Sequence, residues 1–176
     1  MSRRGLLAVL LGFTIVAPQL SVPNAVAGHT RECVRDDVRL DLSLNKARYR
    51  REEPVHMKLA VRNISGTACT MVWGQPPLAV FDVFRGDKHV WNDSACFSFT
   101  AAVVEEHWPA GHREVYGATW RQWKLGPGPD EDQRDCRRGG GRAKPGTFRA
   151  RSYFRGAGGV RSEPERFEIT RRLFEN

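Results

Sequence analysis

The chain has 176 residues and a formal charge of +8, from 28 basic against 20 acidic side chains. That length fits one ordinary domain with a real core and argues against several. The basic residues are 23 Arg and 5 Lys, mixed with acids as in Arg48-Tyr49-Arg50-Arg51-Glu52-Glu53. Charge so dispersed describes a solvated surface, and no nucleic-acid partner is expected.

The chain opens Met1-Ser2-Arg3-Arg4 and runs on through apolar residues to Ala17, with Ala25-Val26-Ala27 further along. A basic start, an apolar stretch and a small-x-small site together spell a cleavable export signal over residues 1–27. The apolar run falls short of the roughly 20 residues that cross a bilayer, and Pro18 and Pro23 interrupt its continuation. The expected product is residues 28–176, secreted or held at the cell envelope, with no membrane span after cleavage. Losing Arg3 and Arg4 lowers its charge by two.

Beyond the leader, period-2 alternation dominates and helical periodicity is nearly absent. Val38, Leu40, Leu42 and Leu44 alternate with polar residues, as do Val55, Met57, Leu59 and Val61. Residues 69–73 and 78–84 follow as strands, and Arg85-Gly86-Asp87-Lys88 predicts a hairpin into residues 89–91. A further strand is expected over 97–104, a turn at Trp108-Pro109-Ala110-Gly111, and strands over 114–120, 147–154 and 166–170. On the predicted strand 147–154, Phe148, Ala150, Ser152 and Phe154 share one face. Residues 124–146, rich in Gly, Pro and charge, predict a long exposed loop. The sum is a single all-β domain over about 36–171, an immunoglobulin-like antiparallel β-sandwich.

Cys33, Cys69, Cys96 and Cys136 are spaced by 36, 27 and 40 residues, far too widely for a CxxC zinc or redox motif. In an oxidising compartment an even count implies two disulfides. Three pairings are possible. The expected one joins Cys69 to Cys96 and Cys33 to Cys136.

Several segments, in order, resemble the BsuPI family of bacterial intracellular proteinase inhibitor domains. Leu59-Ala60-Val61-Arg62-Asn63 matches its strand ending in Asn before a small turn, and Val80-Phe81-Asp82-Val83-Phe84 matches its apolar strand. Val90-Trp91-Asn92-Asp93-Ser94, Trp108-Pro109-Ala110-Gly111, Thr119-Trp120 and Pro145-Gly146-Thr147-Phe148 match the later motifs. The similarity spans about 55–155, with Asn63, Trp91, Gly111, Trp120 and Gly146 at motif positions. It implies an immunoglobulin-like fold and inhibition of a protease. Export, four cysteines, Phe148 in place of Tyr and the loop 124–146 depart from the family pattern.

The histidines His29, His56, His89, His107 and His112 form no HExxH or HxH pair, and no Gly-x-Ser-x-Gly elbow occurs. No nucleophile, cofactor or metal site is indicated, and the expected function is binding rather than catalysis. Trp91 and Trp120 are expected in the core, whereas Trp108 and Trp123, beside turns, are candidates for partner contact. Arg134, Arg137, Arg138 and Arg142 lie in a loop braced at Cys136 and could enter a trypsin-like specificity pocket, although the triple glycine at 139–141 would preorganise it poorly. A variable surface insertion is the plainer reading of that loop. Gln75, Pro76 and Pro77 form a second candidate surface, where prolines stiffen an apolar turn. The expected partner is a protein, a protease among them, or a cell-envelope component, bound by a monomer.

Overall fold

A computed structural model describes residues 31–74, 77–95, 102–125 and 140–171. The leader, Gln75, Pro76, Cys96, Cys136, Arg134, Arg137 and Arg138 lie outside the described residues. Among the described residues, a 3-10 turn at Arg35–Asp37 precedes eleven strands: β1 (Val38–Leu44), β2 (Arg48–Arg50), β3 (Val55–Asn63), β4 (Cys69–Trp73), β5 (Ala79–Arg85), β6 (Lys88–Asn92), β7 (Val104–Trp108), β8 (Arg113–Trp120), β9 (Gly146–Phe154), β10 (Val160–Arg161) and β11 (Glu165–Thr170). Among the described residues no helix is long and apolar enough to cross a membrane.

The strands form three sheets, ordered β1-β3-β8, β2-β11-β9-β5-β6 with β10 on β9, and β4-β7. Pairing is antiparallel except for β2 on β11, where Tyr49 lies beside Ile169 in parallel register. Alternation explains the registers. In β3, Val55, Met57, Leu59, Val61 and Asn63 are buried while their neighbours face outward, and a slip of one residue would expose all of them.

Aromatic side chains join the sheets across the core. Trp120 of β8 meets Phe148 of β9 at 5.5 Å and Phe167 of β11 at 6.2 Å between ring centroids. Phe154 of β9 meets Tyr116 of β8 at 6.1 Å and Trp108 of β7 at 5.9 Å. Edge and tilted contacts of this kind add roughly 1 kcal/mol each to the apolar area that the rings bury. Ser152 shares the buried face of β9, and its hydroxyl donates to the Val80 carbonyl at 2.8 Å, so the polar group costs little.

The structure corrects the sequence reading in four places. Cys33 is bonded to Cys69, not to Cys136. The Glu32–Thr70 bridge lays the entrance of the chain alongside β4 and sets the two cysteines 5.0 Å apart at Cα, within disulfide reach. Residues 102 and 103 lie outside any strand and β7 begins at Val104, where the predicted strand 97–104 should have ended. Two short strands, β2 and β10, escaped the alternation pattern. The loop predicted over 124–146 is also shorter at both ends, because a bridge joins Trp123 to Arg142.

Asn63, the last residue of β3, is buried and ties two turns together. Its side-chain nitrogen lies 2.9 Å from the Thr67 carbonyl, 3.1 Å from that of Trp108 and 3.0 Å from that of Pro109. Its side-chain oxygen accepts from the Ser65 backbone at 3.0 Å and the Ser65 hydroxyl at 2.8 Å. Gly111, at φ +74°, lets the second turn close so that its amide donates to the Asn63 carbonyl at 3.1 Å.

Candidate binding surface

The most elaborately built surface lies where the chain leaves β8 and returns toward β9. Trp120 is fully buried, and its indole N–H donates to the Trp123 carbonyl at 2.7 Å, folding the outgoing chain over. Gln122 follows at φ +60° with no exposed surface. Its amide nitrogen donates to the carbonyls of Arg50 at 2.8 Å and Glu53 at 2.7 Å, and its oxygen accepts from the Glu52 backbone at 2.8 Å. One buried amide therefore clips the 50–53 turn to this segment, with both of its hydrogens used.

The returning chain closes a stem. The Ala143 amide donates to the Gln122 carbonyl at 2.8 Å, Lys124 to Gly141 at 2.9 Å, and Leu125 to Val90 at 2.9 Å. A Cβ on Gly140 would run into the Leu125 carbonyl oxygen, so only glycine permits that approach. The Arg142 guanidinium lies 4.3 Å from the Trp123 ring centroid and donates to the Arg121 carbonyl at 3.1 Å. Such a stacked cation contributes about 1 kcal/mol. The stem joins the described chain on either side of segment 126–139, which itself lies outside the described residues.

Trp123 and Arg142 are thus brought together from the predicted contact set. Trp108 is not among them: it is fully buried at the end of β7, its ring 4.7 Å from that of His112. The turn residues that suggested exposure begin only after it. Pro77 is half-buried. Trp91, partly buried, packs against the core, with its ring 6.4 Å from that of Trp120.

One cluster was not anticipated from the sequence. Glu106 of β7, His112 of the turn and Glu114 of β8 bring one ligand atom each within 4.8 Å of one another, and His112 Nε2 lies 3.2 Å from Glu114. Their oxygen and nitrogen donors could share a divalent cation. The nearby Tyr116 hydroxyl is pushed well up, mainly by burial and then by the Glu114 and Glu106 charges. Only His112-x-Glu114, two residues apart on one side of the chain, hinted at this grouping.

No family model matches the chain, and no curated protein matches it. Among solved structures it is similar to a mutant β-glucosidase from Listeria innocua in complex with laminaribiose, at 14% identity and TM-score 0.40, covering 76% of this chain and 16% of that one. A Pseudomonas fluorescens alkylpurine DNA glycosylase AlkC bound to DNA containing an abasic site analog matches at 10% identity and TM-score 0.40, covering 76% and 30%. Spo0M, a sporulation control protein from Bacillus subtilis, matches at 12% identity and TM-score 0.37, covering 76% and 49%. The chain therefore spans less than half the length of each, and likenesses this distant carry no functional argument.

Proposed function

We propose that this chain is a secreted, non-enzymatic binding module with an immunoglobulin-like sandwich, presenting segment 126–139 to a protein partner. The stem at Gln122 is the observation that carries this reading. A fully buried amide, two main-chain hydrogen bonds across the stem and the Trp123–Arg142 stack fix the chain on either side of that segment. Fixing the ends of a recognition loop reduces the entropy lost when a partner immobilises it.

An extracellular protease is the partner we put first. The segment carries Arg134, Arg137 and Arg138 near Cys136, side chains that suit an acidic specificity pocket. The ordered motifs at Asn63, Trp91, Gly111, Trp120 and Gly146 support the same choice through their likeness to the BsuPI family.

The test is a titration of purified, oxidised residues 28–176 against subtilisin-like and trypsin-like proteases, following activity and chain integrity together. A stoichiometric endpoint with an intact or singly nicked chain, cut between 126 and 139, is the expected result. Unchanged protease activity would instead leave a cell-envelope interaction module without inhibitory action.

A further inference from the structure

The outward face of the six-stranded sheet concentrates arginines where cross-strand pairing should oppose them. Arg149 of β9 lies directly opposite Arg166 of β11, and like charges in that relation are destabilising. Arg151 follows two residues along the same face, about 7 Å away at Cα. Its register partner on β5 is Asp82, the natural counter-ion. That carboxylate is engaged elsewhere through one oxygen: Asp82 Oδ1 accepts from Asn92 Nδ2 at 2.6 Å and lies 2.8 Å from His89 Nε2. Among the described residues no carboxylate pairs with Arg151, although it is half-buried.

Between these strands lies a depression of about 250 Å³ lined by Phe84, Asp87, Arg149, Arg151 and Pro164. Its lining combines two guanidiniums, an aromatic ring, a proline and one carboxylate. Within it Asp87, fully exposed on the β5–β6 turn, sits 3.3 Å from Arg149 Nη2. The fold thus places a carboxylate of its own at the edge of this cleft, on a turn that solvent reaches freely.

We propose that the cleft receives a carboxylate from an acidic peptide segment of a partner, held between Arg149 and Arg151 and in competition with Asp87. Guanidinium forks match the planar carboxylate, and Phe84 and Pro164 bracket the short stem of an Asp or Glu side chain. A phosphodiester polymer fits less well, because Asp82, Asp87 and Glu168 interrupt the positive face and would repel a continuous charged backbone. This second contact surface does not depend on the stem at Gln122 or on any inhibitory activity.

The experiment uses fluorescence anisotropy of a labelled hexaglutamate peptide titrated with oxidised residues 28–176, which contain every described strand. Arg151→Gln is expected to weaken binding at least tenfold, and Asp87→Asn to tighten it about threefold by removing the internal competitor. Lys88→Gln, a charge loss on the neighbouring strand outside the cleft, should change affinity less than twofold. Thermal unfolding of each variant separates a lost contact from a lost fold, and Arg149→Gln repeats the test should Arg151→Gln unfold. Equal losses in the Arg151 and Lys88 variants would overturn the proposal in favour of diffuse attraction. Unchanged or weaker binding in the Asp87 variant would overturn it too, as would polyphosphate displacing the peptide at lower charge concentration than free glutamate polymer.

Discussion

The side-chain nitrogen of Asn63 lies 3.1 Å from the main-chain oxygen of Trp108, joining the end of β3 to the end of β7 inside the protein. The same nitrogen faces the carbonyls of Thr67 and Pro109. Replacing it by alanine leaves buried acceptors without a donor, each costing about 1–3 kcal/mol. Asn63→Ala should therefore destabilise by about 3 kcal/mol in urea unfolding. Asn63→Asp, which keeps the shape and reverses the donor, should lose at least as much.

The buried amide of Gln122 offers a different test, because it serves the surface more than the core. Gln122→Ala removes three hydrogen bonds to the 50–53 turn and leaves a side chain at positive φ. A loss of about 2–3 kcal/mol is expected. Amide hydrogen exchange should report the loosening at Lys124 and Ala143 first, before the strands β3 and β8. A uniform increase across all strands would contradict the stem as a separately held unit.

Asp93 makes stability depend on pH in an uncommon direction. Burial is the main cause that raises its carboxyl from 3.8 to about 6, with the Asp82 charge adding to it. Below about pH 4 both folded and unfolded chains carry the proton. Between 4 and 6 only the folded chain holds it, and above 6 folding must bury the charge. The contribution of Asp93 therefore falls as pH rises through this window, by on the order of 2 kcal/mol after allowing for solvent access. Asp37 and Glu53 act oppositely: hydrogen bonds from Arg31 and Lys46, respectively, hold them low, so their stabilisation is lost as the medium becomes acidic. Asp93→Asn keeps an acceptor for the Phe81 amide, now at 2.9 Å. Its unfolding free energy, measured from pH 4 to 7, should exceed the wild type increasingly toward neutrality.

The Cys33–Cys69 bond closes a separation of 36 residues, which the chain-entropy model equates to about 4 kcal/mol. A double Cys33→Ser, Cys69→Ser variant should lose about that much. A non-reducing peptide map should yield these two cysteines joined, leaving Cys96 and Cys136 as each other's available partners. A peptide joining Cys69 to Cys96 would contradict the structure.

Strands were legible wherever one face is buried and the neighbours are polar. Val38–Leu44 and Cys69–Trp73 begin and end where alternation places them, and Phe148, Ala150, Ser152 and Phe154 all turn inward. What stayed hidden depends on contacts distant in sequence. Arg48–Arg50 reads as surface because arginines flank its single buried residue, Tyr49, and its partner lies near the far end of the described chain. The cysteine pairing follows from a single bridge at Glu32, too brief to leave a pattern. Trp108 resembled a turn residue because Pro109 follows it at once. Arg149 and Arg151 looked like ordinary solvated charge until the register set Arg166 beside one and withdrew Asp82 from the other.

The position of β11 bears on how such a molecule can be made. This strand is the last described one, yet it lies inside its sheet, with β2 on one side and β9 on the other. Ribosomes deliver chains from the amino end, so β2 waits beside an empty slot through more than a hundred residues of elongation. Until residues 165–170 arrive, β2 and β9 each present an unpaired edge, the kind that recruits neighbouring chains. A ribosome stalled before residue 165 would therefore release a sticky fragment, and a holding chaperone would have its longest engagement at that gap.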